Sequence, residues 1–73
     1  MTAKDYELMA EEYFQTAEAL TKVIHKYEDM LKNPQGINLE YVNSKIAYFG
    51  SLKNYATNTG NNLRAKAVKL SNN

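Results

Sequence analysis

Cysteine and tryptophan are missing from this 73-residue chain, and histidine and proline occur once each. Without cysteine, neither a disulfide nor a thiolate metal site can add stability, which a chain this short would otherwise use. A lone histidine excludes sites built from several imidazoles. An excess of one charge is missing too. Nine Lys and Arg against eight Asp and Glu leave +1, which exerts no global pull towards nucleic acid or an acidic membrane. No apolar run approaches the roughly 18–20 residues of a membrane span, and no apolar signal region follows Met1. The expected location is the cytoplasm, or outside the cell by a route that reads no cleavable signal peptide.

The chemistry of enzymes is equally sparse. There is no glycine-rich phosphate loop, nucleophile elbow or zinc-ligand spacing. His25 has Glu18, Glu28 and Asp29 nearby, but carboxylate-bridged bundles take a Glu-x-x-His pair from each of two helices, and this chain has none. Glu11 and Glu12 are adjacent and so point about 100° apart on a helix, too divergent to share a substrate. The expectation is a non-enzyme with no catalytic residue, cofactor, metal or small-molecule substrate.

What is present is helical periodicity on both sides of Asn33-Pro34-Gln35-Gly36. Proline lacks an N–H and its ring collides with the preceding turn, so a helix arriving there must stop. Gly36 supplies a residue that takes positive φ in the bend. The pattern predicts an all-α fold in one domain, an antiparallel two-helix hairpin with helices at 3–32 and 38–70 and a turn at 33–37. Thr2 and Asp5 have capping-box spacing, and Asn38 is the natural cap of the second helix.

Both helices keep heptad frames. In the first, Ala3, Ala10, Ala17, Ile24 and Leu31 fill one line, and Tyr6, Tyr13, Leu20 and Tyr27 the next. In the second, the seam runs Leu39, Val42, Ile46, Phe49, Lys53, Ala56, Gly60, Leu63, Ala67, Leu70. Folding the chain back pairs Ile24 with Ile46, Leu31 with Leu39, Tyr13 with Ala56 and Ala10 with Gly60. Residues 57–62, Thr-Asn-Thr-Gly-Asn-Asn, are poor helix formers and read either as a break or as helix held by its neighbours. The frame resumes in phase at Leu63, which favours continuity. Seven acids up to Lys32 face a second half with one acid and five cations, so acidic and basic ends meet in this topology.

Two sets of residues fall outside the seam. Met9, Val23 and Met30 widen the apolar stripe of the first helix. Tyr41, Tyr48 and Tyr55 recur every seven residues on the second, with Leu52 among them. Tyrosine suits protein interfaces through its large rigid area and polar tip. These seven residues are the candidate partner-binding set, and the partner is the chain itself, as a dimer forming a four-helix bundle or a larger assembly, or another protein. The competing reading is a small nucleic-acid-binding regulator using Arg64, Lys66 and Lys69, with Lys45 and Lys53 upstream.

Lys32-Asn33-Pro34 at the turn, Ser44-Lys45-Ile46, Asn54 and Leu63-Arg64 together form a pattern that resembles the needle subunits of type III secretion systems. The similarity covers roughly Lys32 to Ala67. It implies a short helical hairpin, exported without a cleaved signal and stacked into a hollow helical filament.

Overall fold

The computed structural model describes residues 1–33 and 35–72. Helix α1 spans Ala3–Lys32 and helix α2 spans Leu39–Ser71. They pack against each other along their length as an antiparallel hairpin 57 Å long and 14 Å across. The predicted stop at Pro34 lies outside the described residues. Around it, Asn33 has left helical angles, and Gly36 takes φ +73°, the left-handed value its missing side chain permits.

Local chemistry fixes both helix starts. The Thr2 hydroxyl accepts from the Asp5 amide at 3.2 Å, and the Asp5 carboxylate accepts from the Thr2 amide at 2.9 Å. This reciprocal box satisfies two donors that the first turn leaves orphaned. Asn38 caps α2 by accepting from the Tyr41 amide at 3.0 Å, so it precedes the helix rather than opening it.

Packing at the seam differs from the predicted list in a consistent way. The buried apolar residues are Ala10, Ala17, Val42, Ala56 and Ala67, with Gly60 among them. No large side chain is fully buried among the described residues. Ile24, Ile46, Phe49 and Leu63 are half-buried, while Leu39 and Leu70 at the two ends of the α2 seam are 49% and 43% exposed. The predicted Leu31–Leu39 contact therefore shields little of Leu39. The small residues take the seam centre, and the larger neighbours are left towards the flanks.

Residues 57–62 are continuous helix. Their low intrinsic propensity is overridden because Gly60 is a socket. A Cβ there would lie 2.8 Å from Phe14 Cε1, so the Phe14 ring occupies the space a side chain would need. Periodicity alone sets Ala10 opposite Gly60 and Phe14 at the edge of the stripe. The structure places Phe14 in the notch, beneath the guanidinium of Arg64, which sits 4.5 Å from the ring centroid.

The predicted meeting of acidic and basic ends takes another form. The ion pair among the described residues, Lys32–Asp29 at 3.2 Å, is local to α1 and exposed. Between helices, cations meet rings instead: Arg64 over Phe14, and Lys66 5.7 Å from the Tyr6 centroid. A guanidinium on a ring keeps its outer edge hydrated, whereas an exposed Lys–Glu contact contributes little.

Two outcomes follow. A Cβ added at Gly50 would meet nothing within 4 Å, so Gly50→Ala should stabilise the hairpin by about 0.5–1 kcal/mol through helix propensity. Gly60→Ala gains the same term but displaces a ring held down by Arg64, and overpacking of about 1–3 kcal/mol should make it destabilising. Urea denaturation at one fixed protein concentration reads both. Hydrogen bonds from the Thr2 amide and hydroxyl, the amide first, hold the Asp5 carboxyl below the ordinary aspartate value. Its folded pKa is depressed, so its contribution is present above the unfolded value and lost as pH falls through the folded one. A carboxyl NMR titration should show Asp5 titrating below an unstructured aspartate, and Thr2→Val should move it part of the way back.

Candidate association face

Three contacts define which flank of the hairpin each residue occupies. Tyr13 of α1 meets Tyr55 of α2 edge-on, with centroids 6.3 Å apart. Met9, Glu12 and Thr16 border Tyr13 in one shallow surface dip. Phe14, on the other side of α1, meets Gly60 and Arg64, and Glu7, Glu11, Arg64 and Val68 share a dip there. The hairpin therefore has a Tyr13–Tyr55 side and a Phe14–Arg64 side.

Heptad spacing extends the first side along both helices. On α1, Thr16, Val23 and Met30 follow Met9 at intervals of seven, and Ala19 and Lys26 follow Glu12. On α2, Tyr41, Lys45, Tyr48, Leu52 and Tyr55 alternate by four and three, the spacing of a helix-packing seam. This second seam lies beside the first and has no helix on it. Tyr41 is 52%, Tyr48 58% and Tyr55 63% exposed, with Leu52 and Met30 less so and Met9 and Val23 half-buried. All seven predicted partner-binding residues thus fall on one flank, which periodicity within a single helix could not establish.

The flank is ordered by aromatic contacts. Tyr48 packs edge-on against Phe49 at 5.2 Å, and Phe49 stacks on Tyr27 at 5.9 Å. Lys45 Nζ lies 5.4 Å from the Tyr41 centroid, and the residue is half-buried. In the sequence Lys45 stands out as a cation and as part of Ser44-Lys45-Ile46, not as a member of the aromatic flank. Its four-three spacing with the tyrosines is the signal that could have found it. The opposite side carries Glu7, Glu11 and Arg64, with Val68 an isolated exposed apolar residue, as single ones commonly are.

The basic end is partly committed. Arg64 and Lys66 rest on rings of α1, and Lys66, Lys69, Tyr6 and Leu70 line a dip of about 210 Å³ at the open end of the hairpin. The three cations do not form one array: Arg64 belongs to the Phe14 side and Lys66 to the Tyr6 dip. His25, Glu28, Asp29 and Lys32 line an open dip made by α1 alone, and among the described residues no cluster of three or more His, Asp or Glu could hold a metal ion. No described helix is long and apolar enough to cross a membrane.

No protein-family model matches the chain, and no curated protein or solved structure is significantly similar to it.

The two kinds of lysine and arginine predict different costs. Arg64→Ala uncovers Phe14 and should destabilise the hairpin by about 0.5–1 kcal/mol. Lys69→Ala, on an exposed last turn, should stay within about 0.5 kcal/mol of the parent in the same denaturation experiment.

Proposed function

We propose that this chain is a non-enzymatic helical hairpin that works by protein–protein association, as a self-assembling structural subunit or as an adaptor. The observation that carries this is the composition of the core. Four alanines and a valine are its buried apolar residues, while three tyrosines on one flank remain more than half exposed. Ordering a residue costs about 1–2 kcal/mol of backbone entropy alone, and alanine returns little by burial. A rod this thin recovers the deficit by covering its aromatic flank, which completes a four-helix bundle or a longer helical assembly. The resemblance of the second half to secretion needle subunits belongs to the same reading at its filamentous extreme.

Nucleic-acid binding through Arg64, Lys66 and Lys69 has less support, because two of these cations already sit on rings within the hairpin.

Sedimentation velocity over a concentration series tests the proposal directly. The expected result is a mass that rises above one chain, and Tyr48→Ala with Tyr55→Ala should weaken association at least ten-fold while most helicity survives. A chain that stays monomeric throughout, with full helicity, would overturn it.

A further inference from the structure

The flank between Met9 and Met30 on α1, and between Tyr41 and Tyr55 on α2, has a symmetry that specifies its occupant. On α1, one line of that flank reads Asp5, Glu12, Ala19, Lys26, acidic in its first half and basic in its second. Glu12 and Lys26 stand seven residues either side of Ala19. Neither forms an ion pair within the hairpin among the described residues. On α2, Leu52 stands between Tyr48 and Tyr55. Averaged over the contacts of Phe14 with Gly60, Tyr13 with Tyr55, Tyr6 with Lys66 and Tyr27 with Phe49, Ala19 stands within about one helical turn of the height of Leu52. The charge pattern on α1 and the Tyr48–Tyr55 pair on α2 therefore share a midpoint, with Tyr41 lying beyond the paired stretch.

We infer that the face is covered by a second copy of this chain, laid flat against it and head to tail, with a two-fold axis passing by Ala19 and Leu52. This rests on the association reading and adds the partner and its orientation. In this arrangement α1 crosses over α1 of the copy and α2 over α2. Lys26 of each chain comes above Glu12 of the other, Leu52 meets its own counterpart, and Tyr48 meets Tyr55 of the copy. Small Ala19 and Thr16 on α1 leave room for close approach at the axis.

The turn-to-turn alternative sets α1 over α2 of the copy. Lys26 then lies level with Lys45, a like-charge contact on both sides of the axis, Glu12 meets uncharged Thr59, and the approach of Asp5 to Lys66 offsets the repulsion without exceeding it. A flank 57 Å long and 14 Å wide offers roughly 800 Å² per partner, the size of a standard stable interface.

The absence of cysteine makes the orientation measurable with one label per chain. Gln35→Cys places a spin label at the exposed turn. Head-to-tail pairing about Ala19 sets the two turns about 50 Å apart, at 1.5 Å per helical residue, and turn-to-turn pairing sets them within about 25 Å. A pulsed dipolar distance near 50 Å is the expected result. A short distance overturns the orientation while leaving the associating face intact. A monomeric mass without dipolar coupling overturns both, and a mass well above two chains overturns the closed pair. As an independent check, Glu12→Lys should raise the dimer Kd about ten-fold, and adding Lys26→Glu should restore it. A double variant as weak as the single one removes the Glu12–Lys26 contact and the orientation built on it.

Discussion

The packing of two helices over alanine and glycine governs this structure. Ala10, Ala17, Ala56, Gly60 and Ala67 lie where a coiled coil would place leucine, and together with Val42 they are the residues that become buried. The exchange has two consequences. Backbones that come together over small residues pack well but bury little area per residue. The tyrosines and methionines one position away, such as Tyr41, Tyr55 and Met9, lie outside the seam and are less covered than the small residues within it. The exposed aromatic flank thus runs beside the seam rather than within it.

Phe14 shows how one large residue is accommodated. It enters at Gly60, the position in the seam without a side chain, and Arg64 one turn later closes over it. The stretch around Gly60 holds Thr57, Asn58, Thr59, Asn61 and Asn62, all poor helix formers, yet it does not break. Local preference loses there to a contact made by a residue more than forty positions away. The same economy shapes the electrostatics. Opposite charges segregated between the two halves would permit ion pairs across the seam, but cations settle on rings because the rings lie at the seam edge and the carboxylates point to solvent.

The architecture is largely legible in the residues. Two uninterrupted heptad frames, a capping box at Thr2 and Asp5, and an asparagine cap at Asn38 identify both helices to within a residue at each end. Tyr41, Tyr48 and Tyr55 stand apart from the seam by their own period, so the candidate face is also visible. Three things are not. Periodicity gives the angle of a residue about its helix but not its depth, so it counts Leu39 and Leu70 among the seam residues although the hairpin ends leave them uncovered. It does not reveal that an edge residue such as Phe14 can swing into a glycine notch. Nor can the frame of one helix place Met9, Val23 and Met30 on the same side as the tyrosine ladder, since that depends on how the two seams face each other, which the Tyr13–Tyr55 contact shows.

The gathering of apolar residues on one side bears on what kind of assembly the hairpin can make. A filament grows when a subunit carries two different surfaces that meet head to tail, whereas a closed pair needs one surface that matches itself. Here the apolar residues of both helices collect on the Tyr13–Tyr55 side. The Phe14–Arg64 side presents Glu7, Glu11 and Arg64 around a solitary Val68. One rich face and one polar face favour closure. A filament would need the second side to contribute as much as the first, and its aromatic residue, Phe14, is already spent inside the hairpin beneath Arg64. The feature that straightens α2 through residues 57–62 is therefore also the one that leaves the far side of the rod with little to offer a third chain.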